Sequence, residues 1–448
     1  MRLKQNRPTQ PRHRAAVFAA ALALPVGIVL GACGSTPDEP GQTPRSPSAE
    51  ETHRESDAQE VAALTPRIAY TYDGGVQVRD ATTLDLVADI ELDGFNRLSS
   101  AGNGRDLLVS TTGGFQVLDL GVWRSGHGDH FHYYQADPVL TDLKFAAEKP
   151  GHAVHHDGVT ALFDDGTGLV QVFESAEAED PERELRQHTT PAAHHGVAVP
   201  LPDGTLVVSE GTADGRTGAQ AIGADDAVVA TSSDCPGLHG EAVAAEEAVV
   251  FGCADGALVY AGSKFAKIAS PTPAGAVSAI SATEDSPIAL ADYAVEGQPQ
   301  DQVALVDTAA GGIRLVKLPS PYYGFNDFAV LDGKTGLVLG LDGKLHLIDL
   351  ASGAVTGSYQ VTAPWEAPED WQSPAPKLLV LDGMVYITEP AAKKIHVVDP
   401  ATGEIWKSVG LDVVPGELQG VAGDAEAEHD HDHEDEGDHE DDHDHEDE

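Results

Sequence analysis

Positive charge is what this chain has least of: 27 Lys and Arg stand against 73 Asp and Glu, a formal net charge of -46 over 448 residues. The imbalance is not confined to one end, because 16 of the acidic residues lie from Asp424 onward and the other 57 still outnumber the 27 basic ones. Such a chain repels nucleic acid and anionic membrane surfaces and draws cations and cationic partners. Helical periodicity is scarce between Thr65 and Gly423. No serine nucleophile elbow and no His-Glu-x-x-His zinc-protease motif occurs, which removes the signatures of two hydrolase classes.

Cysteine is almost absent, with three in all. Cys33 ends an uncharged run from Ala15 to Ala32, preceded by Arg2, Lys4, Arg7, Arg12 and Arg14. A basic segment, an apolar segment and a small residue before the boundary is the order of a secretory signal. Leu30, Gly31, Ala32 and Cys33 resemble the bacterial lipobox, in which the cysteine becomes the lipid-modified first residue of the mature protein. Residues 1–32 are therefore read as a lipoprotein signal peptide. Residues 33–64, rich in Pro, Ser, Thr and Glu, are read as a disordered tether. The mature protein is expected outside the cytoplasmic membrane, lipid-anchored to it. In that oxidising compartment Cys235 and Cys253 are expected to form a disulfide. A zinc-thiolate pair is the alternative, although their spacing is far from the short Cys-x-x-Cys of structural zinc sites.

The other end has no apolar residue beyond Ala427. From Glu428 to Glu448 there are six histidines, one glycine and otherwise only acids, so ordering this segment costs entropy with no burial in return. Residues 424–448 are read as a disordered tail. Imidazole and carboxylate are ligand types that zinc accepts, and His429, His431, His433, His439, His443 and His445 make the tail a candidate metal collector.

Between them, short β-branched runs alternate with Asp-Gly, Gly-Gly and Thr-Gly turns, which predicts an all-β domain over residues 65–423. One element recurs: VQVRD ending at Asp80, FQVLD at Asp119, VQVFE at Glu174, a weak AQAI at Ile222, ALVY at Tyr260, VALVD at Asp307, LHLID at Asp349 and IHVVD at Asp399. The copies recur about every 46 residues, the spacing of four-stranded propeller blades. This predicts an eight-bladed β-propeller, with seven blades as the competing count because of the weak copy. In this register each copy is the third strand of its blade. The chain then enters at a second strand, RIAYTYD, and the last ordered piece, ELQGVAG, supplies the missing inner strand, leaving no exposed edge.

Ligands in a propeller lie where inner strands begin, since those positions converge on the axis. Superposing GVAVPL on GEAVAA sets His195 opposite His239, His152 falls within two residues of the same place, and Asp327 occupies it in another blade. Three imidazoles and a carboxylate suit tetrahedral zinc. Glu241, close by, is either a further ligand or a group that orients a histidine. A second candidate site comes from HGDHFHYY, read as a loop after a third strand. It offers His127, His130 and His132, with His155 and His156 on the same face.

HGDHFHYYQADP, KPGHAVHHDGVTALFDDGTG, HHGVAVPLPDG, and CPGLHGEA followed by VFGCADG, together resemble the AztD family of zinc metallochaperones. The likeness spans most of Gly126 to Gly256. The resemblance implies a β-propeller that hands zinc to the solute-binding protein of a zinc ABC importer, no enzymatic activity, and His152, His195 and His239 as the zinc ligands. It also supports pairing Cys235 with Cys253. The lipobox departs from the family pattern of proteins free in a periplasm. A monomer is expected.

Two rival functions remain beside this one. A surface scaffold would use the propeller to bind another protein while the tail buffers cations. A propeller oxidoreductase is less favoured, because Trp123, Trp365, Trp371 and Trp406 lack the regular blade period of quinone-dependent dehydrogenases.

Overall fold

The computed structural model describes residues 58–127 and 130–424. The signal peptide, Cys33, most of the tether, the side chain of His127 and all six tail histidines lie outside the described residues. Within them, the chain is all-β apart from two short 3-10 turns.

Among the described residues the strands form eight sheets of four or five strands and one of three. Seven of the larger sheets are antiparallel and take their strands in chain order, with inner strands starting at Arg97, Pro150, Ala198, His239, Gly275, Phe328 and Leu378; the first of them gains its outer strand, Val139–Ala146, only after an intervening hairpin. The remaining sheet is built from both ends of the domain. Leu418–Val421 pairs with Arg67–Tyr72, followed by Gly74–Asp80 and Leu86–Leu92, with Arg67 opposite Val421 and Tyr70 opposite Leu418. The two end segments share one sheet, as the repeat register predicts. Each recurring motif lies in a third strand, including the weak copy, which falls in Gly215–Ile222.

Alternation explains the packing. Second and third strands are buried on both faces, and outer strands such as Ala354–Gln360 alternate exposed and half-buried. Eight hydrophobic clusters sit between sheets, each drawing on two successive ones. Phe163 and Val170 meet Leu206 and Val208, for example, and Ile68 and Tyr70 meet Ile395 and Val397. At about 25 cal/mol per Å2 of apolar surface, these interfaces supply the main driving force for assembly. The result is a propeller-like arrangement in which no sheet stands alone.

Two readings need correction. HGDHFHYY is not a loop: Val122–His127 and His130–Gln135 form a β-hairpin, with Trp123 stacked on Tyr134 at 5.5 Å. The alternation of large and small residues across Gly128 and Asp129 is hairpin patterning, which the cluster of histidines obscured. Residues 59–61, placed in the tether, form a strand that caps this hairpin, with Val61 opposite Tyr133.

Candidate metal centre

His152 is the third residue of the inner strand Pro150–His156, His195 lies just before Ala198–Pro200, and His239 opens His239–Ala244. These three sheets are successive, and their inner strands converge. Glycine allows the approach: a Cβ on Gly151 would lie 2.2 Å from Asp165 Oδ1, and one on Gly240, whose φ is +69°, would lie 1.9 Å from the Ser278 carbonyl.

The ligand nitrogens of His152, His195 and His239 lie within 4.8 Å of one another. His195 Nε2 and His239 Nε2 are 3.2 Å apart. Two nitrogens bound to one tetrahedral zinc at 2.0 to 2.1 Å lie about 3.3 Å apart, so this spacing already matches. Each imidazole is held from behind by its other nitrogen. His152 Nδ1 is 3.0 Å from Glu241 Oε1, His195 Nδ1 is 2.6 Å from Asp165 Oδ2, and His239 Nδ1 is 3.3 Å from the Ser278 carbonyl. Because those partners are acceptors, Nδ1 carries the hydrogen and Nε2 presents a bare lone pair. Three lone pairs facing one another repel, and a cation between them removes the repulsion. Carboxylate behind imidazole is also the arrangement that fixes ring orientation and raises ligand basicity.

Burial lowers the His239 pKa to about 4, and the neighbouring His152, His195 and Arg216 push it the same way. His239 is therefore neutral, and ready to bind, across the neutral and mildly acid range. His195 is the accessible member, its side chain 36 % exposed against 16 % for His152. All three line a cavity of about 1560 Å3 whose walls also carry Glu241, Glu284, Asp285 and Asp424, a cation-attracting funnel.

Asp327 does not join them. Its fully buried carboxylate accepts backbone N–H bonds from Tyr323 (2.7 Å) and Gly324 (3.0 Å). The strand alignment placed its backbone correctly, but a local turn captures the side chain. Glu241 and Asp165 are the carboxylates that touch the trio, and Glu241 Oε2 is buried without a hydrogen-bond partner. Sequence reasoning missed Asp165 and Arg216. Asp165 is the second of an Asp pair, and Asp164 alone takes the turn, accepting from the backbone of Glu148, Lys149 and Gly166.

The second candidate site is not assembled. His130 and His132 meet each other on the hairpin, Nε2 to Nε2 at 3.1 Å, and His132 Nδ1 reaches Glu60 at 2.7 Å. His155 lies instead on the inner strand Pro150–His156 and lines the cavity. Its neighbour His156 is buried between Glu247 and Glu284, at 2.7 and 3.1 Å. Two strands apart in different sheets, these histidines share no group of three ligands within 4.8 Å among the described residues. Cys235 and Cys253 form a buried disulfide, which overrules the zinc-thiolate alternative.

The zinc chaperone AztD of Citrobacter koseri is 28% identical over 364 residues, covering 78% of this chain and 84% of that protein. The chain resembles AztD-type zinc chaperones. A crystal structure of Citrobacter koseri AztD superposes with a TM-score of 0.69 at 27% identity, covering 82% of this chain and 100% of the other. The apo form of the same AztD gives 0.68 at 25% identity, covering 80% and 98%. No family model matches the sequence. The AztD relative carries the name of a chaperone and not of an enzyme, in keeping with the non-enzymatic reading.

Proposed function

We propose that this protein is an extracytoplasmic zinc metallochaperone, in which His152, His195 and His239 hold the ion and surrender it to the solute-binding protein of a zinc ABC importer. The observation that carries the reading is the convergence of three imidazoles, each tied at Nδ1, with Nε2 of His195 and His239 3.2 Å apart. The AztD likeness supports the cargo and the class of acceptor. Glu241 stands behind His152 at Nδ1 and so orients that ligand, while the fourth coordination position is left to a group entering from the cavity. His195 is the ligand an incoming acceptor group reaches from the cavity, so exchange starts there.

In this reading the eight sheets are the blades of a closed, eight-bladed propeller, a proposal supported by the shared first and last sheet and by clusters between successive sheets. The chain is exported, anchored through Cys33 and acts as a monomer. The tail collects zinc in weaker His and Asp sites and raises its local concentration at the cavity, whose wall includes Asp424. His127, His130, His132 and His155 belong at most to this delivery route.

Titration of the purified mature protein is expected to show one tight zinc per chain, lost in His239→Ala. Removal of residues 424–448 is expected to slow loading and leave that tight affinity in place. Unchanged affinity in His239→Ala removes the site, and absence of zinc transfer to any zinc-specific solute-binding protein removes the delivery role.

A further inference from the structure

Aromatic side chains are few in this protein, yet five of them gather at one place. Phe95 and Trp371 meet edge to face with centroids 5.3 Å apart, Trp371 meets Phe325 at 6.1 Å, and Tyr323 lies 6.3 Å from both Phe325 and Trp365. The outermost pair is left open to solvent, Phe95 at 44 % and Trp371 at 49 %. They come from three connections, each leading into an inner strand: residues 93–96 before Arg97–Ser100, 318–327 before Phe328–Val330, and 361–377 before Leu378–Leu381. The zinc-site histidines lie just before or within the first three residues of their own inner strands, so both groups lie toward the ends where inner strands begin. Phe325 and Trp371 line the same cavity as His195.

We propose that this patch is the docking surface for the zinc acceptor, a solute-binding protein that presents an apolar recess ringed by Lys and Arg. The proposal rests on the chaperone reading above. Solvent-exposed tryptophan and phenylalanine with an acidic border have the anatomy of an interface hot spot with a polar rim. One border is acidic, since Glu366, Glu369 and Asp370 are exposed and residues 361–376 contain no Lys or Arg, while Arg97 stands over the Phe325 ring at 5.9 Å. Charge therefore selects the occupant. A second copy of this chain, at -46, and its own tail, with 16 acidic residues from Asp424, are both repelled.

The patch is also held in advance. The Asp327 carboxylate accepts from the Tyr323 and Gly324 backbone, and Lys377 places its ammonium 4.0 Å over the Phe325 ring while pairing with Glu417 at 3.2 Å. Little side-chain ordering then remains to be done on docking. A partner seated on these rings covers the cavity mouth, where His195 is the exposed ligand, so docking and ligand exchange become one event.

The test compares the zinc-loaded mature protein with Phe95→Ser/Trp371→Ser and with Glu366→Lys/Glu369→Lys/Asp370→Lys, using a purified zinc-specific solute-binding protein from the same organism as the probe. The aromatic variant is expected to weaken the complex roughly 30-fold with zinc affinity unchanged. The charge variant is expected to slow association and flatten its salt dependence. An aromatic variant that binds the probe as tightly as wild type overturns the docking surface, and so does self-association of wild type that the variant abolishes. Wild type that binds zinc but neither binds nor loads the probe overturns the docking surface and the delivery role together. Absence of a tight zinc site in wild type overturns the chaperone reading and, with it, a docking surface for a zinc acceptor.

Discussion

Asp165 reaches from the end of one sheet to the histidine of the next, holding His195 Nδ1 at 2.6 Å while its own side chain is only 4 % exposed. A carboxylate in that position does two things for a metal ligand. It fixes the tautomer, so that Nε2 is unprotonated, and it pushes electron density toward the ion. Asp165→Asn keeps the shape and removes the charge. Zinc affinity is expected to fall about 10- to 100-fold in a chelator competition, with the circular dichroism spectrum unchanged. An affinity equal to wild type means that His195 is not a ligand.

Asp327 supplies the contrast. Complete burial raises its pKa to about 7, against the opposing pull of the Tyr323 and Gly324 N–H groups. Asp327→Asn is expected to leave zinc affinity within about twofold of wild type, because the group lies outside the ligand cluster. A fall as large as that of Asp165→Asn restores Asp327 to the metal site.

His239 and Asp327 set opposite pH dependences on the stability of the metal-free protein. His239 is depressed to about 4 from an unfolded value of 6.5, so the unfolded chain binds the proton first and stability falls as pH drops from 6.5 toward 4. The effect is on the order of 3 kcal/mol at full extent. Asp327 is raised to about 7 from 3.8, so its contribution is complete below 3.8 and is lost as pH climbs through 7. Each slope is read as a difference between wild type and variant, by urea denaturation of the chelated protein. His239→Asn is expected to remove the acid-side loss, and Asp327→Asn the neutral-side loss. Parallel profiles in either pair contradict the corresponding shift.

Strand order was legible because the blade motif repeats, and it holds even where the motif is weakest. The copy at Ile222 looks degenerate because Ala219 and Ala221 stand where VQVRD and VQVFE carry valine. The histidine trio was legible for a related reason: aligned inner strands put aligned residues at one axis. Alignment fixes where a backbone lies and not where a side chain turns, which is why Asp327 was assigned to zinc and is bound to a turn instead. Asp165 was hidden by its neighbour, since an Asp-Asp-Gly-Thr run reads as turn chemistry and Asp164 does satisfy that turn. The aromatic patch had no signal at all, because its members are up to 276 positions apart, from Phe95 to Trp371, and no repeat relates them.

The strand Leu418–Val421 sets a condition on how the protein is made. Its partner, Arg67–Tyr72, is synthesised more than three hundred residues earlier. Until the last residues arrive, that partner keeps a naked row of amides and carbonyls, a template for wrong pairing. A chain made N-terminus first thus cannot complete this sheet until its far end is present, and a form truncated before Leu418 keeps that edge open. The dense negative charge just beyond that final strand is made later still, so a chain stopped short of Leu418 lacks both its closing pair and the charge that would hold copies apart.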